Sequence, residues 1–167
     1  MLDRKHPKLY HIHETDSSRY VAIQVEANVR KIDRGRDIEN WKSHRLLPIV
    51  DHFFSCHFKC NKSIRVLCHG ARNGSECVAF KESFQEHADL HEAQVEVIGT
   101  DISPTASDFG LIVHDMNQPL PTSLGLFDVI YSTSLDQSQT PWKALQEWLS
   151  SLNPSGSIYL EWTRGHG

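Results

Sequence analysis

The sequence lacks the features of a membrane-spanning, secreted or disulfide-stapled protein. None of its apolar runs approaches the roughly 20 residues that cross a bilayer. Residues 1–7 contain no apolar segment of the kind found in secretory signal peptides. Its four cysteines are too few for a dense disulfide framework and are expected to be reduced thiols. A cytoplasmic protein with no membrane partner is therefore expected.

The chain also has no excess of positive charge. It has 17 basic and 21 acidic residues, which give a formal net charge of −4 when its 11 histidines are neutral. Tight, non-specific nucleic-acid binding requires a basic surface, so a nucleic-acid partner is not indicated. The cysteine and histidine spacing, with Cys56 and His57 before Cys60 and the pair Cys68-His69, fits no standard zinc pattern. No metal site is expected.

The composition is that of a globular protein, with 39% hydrophobic and 23% charged residues. The character of the sequence changes near residues 61–63. We therefore predict a mainly helical N-terminal appendage or lid over 1–60 and a core domain over 61–167. Segment 17–34 fits both a strand alternation and a helical stripe, but Ser17 and Gly35 are typical of helix ends and favour a helix. Segment 37–55 also indicates a helix, interrupted or restarted at Pro48.

Short apolar runs alternate with helical segments in the second part of the chain. The predicted strands cover residues 64–68, 95–99, 111–114, 127–131 and 157–162. The helix before the last strand has a predicted inner stripe of Leu145, Trp148, Leu149 and Leu152. This rhythm predicts an α/β fold, a Rossmann-like αβα sandwich whose parallel sheet has the order 3-2-1-4-5. A ligand crevice is then expected at the carboxyl ends of the strands.

The ends of these strands carry the first chemical signals. Gly70 and Gly74 allow a sharp turn and a close approach to a ligand after the first strand. The dinucleotide fingerprint would need glycine where this chain has Arg72 and Ser75, which disfavours a nicotinamide enzyme. Asp101, at the tip of the second strand, could accept both hydroxyls of a ribose or could cap the segment that follows.

In order, residues 66–74, 97–103 and 114–121 resemble the cofactor motifs of class I S-adenosylmethionine (SAM)-dependent methyltransferases. Residues 127–132 and 153–156 are similar to the fourth strand and the turn before the fifth in that superfamily. The resemblance covers about residues 64–163 and implies SAM as the cofactor and methyl transfer to an unidentified acceptor. The alternative is a non-catalytic SAM- or nucleoside-binding domain, or a subunit that needs a partner.

The resemblance also implies roles for individual residues. Gly70 and Gly74 would flank the methionine part of the cofactor, Asp101 would hold the ribose, and Asp115 and Met116 would border the adenine. The full expected cofactor set is His69, Gly70, Ala71, Arg72, Gly74, Asp101, Ile102, Asp115, Met116 and Ser132. Ser134 and Asp136 would lie near the methyl donor. No catalytic residue is identified; the candidates for a base are Asp136, His114, Glu161 and His166.

Two departures from the family pattern stand out. Cys68 occupies a place that usually carries an acidic residue, and Arg72 the place of a third glycine. The Arg72 guanidinium could pair with the carboxylate of the cofactor or could simply face solvent. In the predicted first helix, Gln24, Asn28 and Lys31 share a face that could line the site as a lid or could be an ordinary solvated face.

The predicted fifth strand would be an apolar sheet edge, whereas the family commonly continues with two further strands. Natural sheets cover, charge or pair such an edge. An early strand over residues 8–13 is one candidate cover, and a second copy of the chain in a homodimer is the other. Trp142 and Trp148, on the preceding helix, could contribute to this contact or could belong to the core.

Overall fold

A parallel sheet forms the centre of the protein in a computed structural model that describes residues 17–34, 37–59 and 62–161. Its strands are β1 (Ser63–His69), β2 (Gln94–Asp101), β3 (Ile112–Val113), β4 (Phe127–Ser132) and β5 (Leu152–Leu160). Their order is β3-β2-β1-β4-β5 and each neighbouring pair is parallel. The predicted 3-2-1-4-5 sheet of a Rossmann-like αβα fold is therefore confirmed.

The central strands are buried on both faces. All six residues of β4 are buried, and Val66, Leu67 and Cys68 of β1 are fully inaccessible. Continuous apolar runs of this kind suit a parallel sheet, because helices cover both of its faces.

Helices precede and follow the strands. They are α1 (Ser17–Arg34), α2 (Ile38–Trp41), α3 (Leu47–Cys56), α4 (Ser75–Ala88) and α5 (Pro141–Ser150). The predicted helix over 17–34 is confirmed, and Pro48 is the second residue of α3. Between α2 and α3 the chain widens into a π-helical segment, Lys42–Leu46, which the sequence did not predict. Short 3₁₀ turns lie at Asp89–His91, Pro104–Phe109, Thr122–Leu124 and Leu135–Gln137.

One face of the sheet packs against α2, α3 and α4. Trp41 lies 6.1 Å from the ring of Phe80 and 5.9 Å from that of Tyr131, measured between ring centroids. Phe53 of α3 lies 5.4 Å from Phe84 of α4. Helices α2 and α3 therefore share their apolar core with the sheet. The domain division at residues 60 and 61 stays a prediction.

The other face packs against α5. Trp148 and Ala144 are fully buried there against Leu67 and Ile130. The predicted inner position of Leu149 is wrong, since this side chain is 55% exposed. The reason is the rotation of α5: Ala144 precedes Trp148 by four residues and so shares its buried face, whereas Leu149 is turned about 100° away from Trp148. Trp142 is 80% exposed, so only Trp148 belongs to the core.

Strands β3 and β5 differ from their predicted bounds. β3 is limited to two residues, and β5 begins at Leu152, before the predicted turn 153–156. Residues 153–156 form an irregularity within the strand, because Phe127 pairs with Leu152 and Val129 pairs with Ser157. Gly156 allows this close packing, since a Cβ there would lie 2.9 Å from the Phe127 carbonyl oxygen. Within the described residues, no helix has the length and apolar character needed to span a bilayer.

Candidate functional site

A crevice opens at the carboxyl ends of the strands, where the sheet order changes direction between β1 and β4. It is a small cleft that is partly open to solvent. Its lining comes from four regions: helix α1, the loop after β1 together with the end of β2, the loop after β3, and the loop after β4. The lining residues are Tyr20, Gln24, Gly70, Thr100, Asp101, Ile102, His114, Met116, Ser134 and Gln137.

Asp101 is held in one orientation at the wall of this crevice. Its side chain is buried, and Oδ2 accepts the Arg72 backbone N–H at 3.0 Å. Oδ1 accepts the Ser103 backbone N–H at 2.9 Å. The carboxylate therefore ties the loop after β1 to the end of β2, and it also presents acceptor oxygens at the ligand crevice.

Gly70 brings two loops into direct contact. Its φ of 71° lies in the left-handed region, and a Cβ would lie 2.5 Å from Ser134 Oγ and 2.8 Å from Ser134 Cβ. Its N–H donates to the Thr100 carbonyl at 2.8 Å. Only glycine fits here, because any side chain would strain the backbone and would push the loop after β4 out of the crevice.

Arg72 adopts a glycine-like backbone conformation. Its φ of 51° is in the left-handed region, which costs a non-glycine residue about 1 kcal/mol or more. Its guanidinium Nη2 lies 3.9 Å from Glu76 Oε1, and Arg72 lies outside the crevice lining. The predicted pairing of Arg72 with a cofactor carboxylate stays a prediction.

After β3, Met116 lines the crevice and Asp115 does not. Asp115 Oδ1 accepts both the backbone N–H and the side-chain N–H of Asn117, at 2.9 Å and 2.7 Å. This is a turn-forming arrangement typical of aspartate, whose side chain accepts hydrogen bonds from the residue two positions on. Its predicted contact with an adenine stays a prediction.

Asn117 is the centre of a hydrogen-bonded cluster, here called the Asn117 hub, that the sequence did not reveal. The Asn117 side chain is buried, and its Oδ1 accepts the Ser138 hydroxyl at 2.5 Å. Its Nδ2 donates to Asp115 Oδ1 and, at 3.5 Å, to the Tyr20 hydroxyl. The Tyr20 hydroxyl in turn donates to the Gln137 carbonyl at 3.0 Å. The hub therefore connects α1 with the loops after β3 and β4.

Two neutral histidines lie beneath the crevice. His69 is fully buried, its Nδ1 lies 2.8 Å from Thr100 Oγ1, and its ring stacks on Trp148 at 4.5 Å. Burial and the nearby His114 lower the pKa of His69 to about 3. Burial also lowers the pKa of His114, which lines the crevice. The Nε2 atoms of both rings have no hydrogen-bond partner among the described residues. Both imidazoles are therefore uncharged at neutral pH.

The remaining predicted residues support the crevice from behind. Ser132 Oγ donates to the His69 carbonyl at 3.1 Å and accepts the Ser134 N–H at 3.0 Å. Ala71 is buried, and its N–H donates a hydrogen bond to the Thr100 carbonyl at 3.0 Å. Gly74, with φ 76°, begins α4. Asp136 is half-buried in the turn Leu135–Gln137 and lies outside the lining.

The structure thus brings together six of the residues predicted for the site: Gly70, Asp101, Ile102, His114, Met116 and Ser134. Gln24 also lines the crevice, as the lid interpretation of α1 predicted; the side chains of Asn28 and Lys31 lie outside the described ones. The sequence missed Tyr20 and Gln137, which carry no local motif, and Thr100, which lies within segment 97–103 but had no assigned role. Within ranges 17–34, 37–59 and 62–161, no group of three His, Cys, Asp or Glu side chains could hold a metal ion.

Comparison with solved structures shows the same fold. The plantazolicin methyltransferase BpumL in complex with S-adenosylhomocysteine (SAH) superimposes with a TM-score of 0.55 and 16% identity, over 90% of this chain and 54% of that one. DesVI of Streptomyces venezuelae gives a TM-score of 0.56 and 17% identity, over 89% and 58% of the two chains. A second BpumL complex, with a monoazolic desmethylPZN analog and SAH, gives 0.57 and 16%, over 86% and 59%.

The chain has the class I methyltransferase fold. It spans slightly more than half the length of the solved structures that it matches. No protein-family profile matches the sequence, and no curated protein matches it.

Proposed function

We propose that this chain binds SAM in the crevice and transfers its methyl group to an acceptor that remains to be identified. The observation that carries the proposal is the placement of Asp101 and Gly70 on the same crevice, at the ends of adjacent parallel strands. The likeness of the fold to BpumL, which was solved with SAH, supports the same ligand class.

The residues of the crevice fit a nucleoside with an attached amino acid. Two backbone N–H groups orient the Asp101 carboxylate. It suits a pair of ribose hydroxyls, because hydroxyls donate hydrogen bonds and carboxylate oxygens accept them. Ile102 and Met116 supply apolar surface for a base. Gly70 leaves room for a close approach of the ligand to the backbone of the loop after β1.

The sulfonium of SAM makes its methyl group electrophilic. The protein then has to hold the donor and the acceptor close together, aligned and shielded from water. Helix α1 can provide this shielding, because Tyr20 and Gln24 are both buried and line the crevice. Ser134 and Gln137 form the wall on the β4 side, where an acceptor would enter.

A base is needed only for an acceptor that must lose a proton. His114 lines the crevice, and its lowered pKa keeps the imidazole unprotonated at neutral pH. Asp136 is more remote, on the turn after β4. We therefore prefer His114 over Asp136 as the base.

Two measurements test the proposal. Calorimetry with SAM, SAH and NAD should show binding of the first two and not of NAD. Incubation with methyl-labelled SAM and a broad panel of acceptors should then transfer the label to at least one of them. Binding of NAD in preference to SAH would overturn the cofactor assignment.

A non-catalytic SAM- or nucleoside-binding role is the second candidate. It is favoured by Arg72, which stands in the cofactor loop at a place where the resembled family usually has a glycine. SAH binding without label transfer, both alone and after addition of cell extract as a source of partners, would favour this role.

A further inference from the structure

Two thiols lie side by side behind the loop that carries Gly70 and Arg72. Cys68 is the penultimate residue of β1 and is fully inaccessible, and Cys77 lies in the first turn of α4 and is half-buried. In the register of the sheet, Cys68 pairs with Gly99 of β2. A Cβ on Gly99 would lie 2.6 Å from Cys77 Sγ. The Cys77 sulfur therefore occupies the space over Gly99, immediately beside Cys68.

We propose that Cys68 and Cys77 form a reversible disulfide when the protein meets a peroxide, and that this bond reshapes the cofactor loop. Directly paired residues of parallel strands lie about 4.8 Å apart with their side chains on the same face. Cys77 reaches that face from α4, so both sulfurs lie in one apolar cluster. A disulfide needs Cα atoms about 4.4–6.8 Å apart, so any larger starting separation is closed by a shift of the first turn of α4 towards β1.

Their different exposure assigns the roles of the two thiols. Cys77 is the one that a small oxidant can reach, and hydrogen peroxide converts its thiol to a sulfenic acid with release of one water. The Cys68 sulfur then attacks the Cys77 sulfur, the S–O bond breaks, and the hydroxide leaves as a second water with the Cys68 proton. In the reduced protein Cys68 stays protonated, because burial and the hydrogen bond with Cys77 raise its pKa well above the ordinary value.

The bond would act on the crevice through Ala71. The Cβ of Ala71 lies 3.4 Å from the position of a Cβ on Gly99, so Ala71 and the Cys77 sulfur flank the same small space. A disulfide draws the two sulfurs to about 2.05 Å, which moves Cys77 towards β1 and away from this position. Ala71 stands between Gly70 and Arg72, and the Arg72 N–H holds Asp101. Oxidation is therefore expected to loosen the Asp101 carboxylate and to weaken SAH binding at least tenfold.

The experiment uses the full chain with Cys56→Ser and Cys60→Ser, so that Cys68 and Cys77 are its only thiols. The protein is treated with hydrogen peroxide, alkylated and digested with trypsin without reduction. Cleavage after Arg72 separates peptide 66–72 from peptide 73–81, so only a disulfide can keep them joined. We expect the joined pair, its release by dithiothreitol, and altered amide hydrogen exchange over residues 69–76. Cys77→Ser is the matched control and should show none of these effects.

The proposal would be overturned if peptides 66–72 and 73–81 are recovered separately, with Cys77 oxidised to a sulfinic acid. It would also be overturned if the two peptides are disulfide-linked but amide exchange over residues 69–76 is unchanged. The tenfold loss of SAH affinity rests on the proposed function and is measured separately by calorimetry before and after oxidation. If the reduced protein does not bind SAH, the proposed function fails, while peptide mapping and exchange still decide the thiol proposal. If SAH binds equally before and after bridging, the effect on the crevice is refuted.

Discussion

Replacing Asp101 by alanine is the most direct test of the cofactor site. The structure predicts that Asp101→Ala weakens SAH binding by about 1.5–3 kcal/mol, the range for a hydrogen bond to a charged group. This corresponds to roughly a 10- to 150-fold rise in the dissociation constant. The variant also loses stability, because the Arg72 and Ser103 backbone N–H groups lose their acceptor.

Asp128→Ala separates these two effects. Asp128 is also a buried carboxylate, and it accepts the Arg65 backbone N–H and the Asn153 side-chain N–H, each at 2.8 Å. It lies in β4 at the end of the sheet opposite the crevice. Both variants should therefore lose about 1–3 kcal/mol of unfolding free energy, the cost of leaving a buried donor unsatisfied. Only Asp101→Ala should lose SAH affinity.

The assay is calorimetric titration of SAH into wild type and both variants, at a temperature at which urea unfolding shows each to be folded. Equal SAH affinity of Asp101→Ala and wild type would refute the ribose assignment. Equal losses in both variants would show that the effect is a general consequence of destabilisation rather than a lost contact at Asp101.

Three further predictions address the loop, a buried histidine and the sheet edge. Gly70→Ala should lower the thermal stability and the SAH affinity much more than Gly110→Ala does. Both positions have a φ of 71°, but only at Gly70 would the new Cβ meet Ser134. Similar losses in the two variants would contradict this. His69 takes up a proton near pH 6.5 in the unfolded state but only near pH 3 in the folded state. The free energy of unfolding should therefore fall by about 1.4 kcal/mol for each pH unit as the pH is lowered between these two values. His69→Phe should remove that share of the slope in urea unfolding from pH 7.5 to 4, and an unchanged slope would contradict it. If a second copy covers the β5 edge, sedimentation at micromolar concentration should show a dimer that Trp142→Glu weakens, whereas a wild-type monomer would rule it out.

The order of the sheet could be predicted from the sequence because it depends on local patterns. Apolar runs alternate with amphipathic segments, and right-handed crossovers leave few ways to connect them. The same logic placed Gly70 and Asp101 on one crevice, since both follow directly after a strand. The predicted early strand over 8–13 lies outside the described residues, so the cover of the β5 edge stays a prediction.

The contacts that close the crevice could not be predicted, because they join distant parts of the chain. The Tyr20 hydroxyl meets the Gln137 carbonyl across 117 positions, and Asn117 meets Tyr20 across 97. No periodicity or spacing rule relates residues so far apart. Leu149 shows the same limit on a smaller scale: the apolar stripe of α5 was correct at Trp148, but the exact rotation of the helix depends on packing against His69.

The Asn117 hub has a consequence for how the protein opens. One carboxamide, buried at 5% exposure, is shared by a helix and two loops that otherwise belong to different parts of the chain. Segments that share a buried polar group tend to unfold locally as one cooperative unit, since releasing one leaves the others with unsatisfied groups. Undocking of α1 should therefore coincide with loosening of the loops after β3 and β4. In native-state hydrogen exchange the three segments would show a common opening free energy, and a ligand held by any one of them would slow exchange in all three.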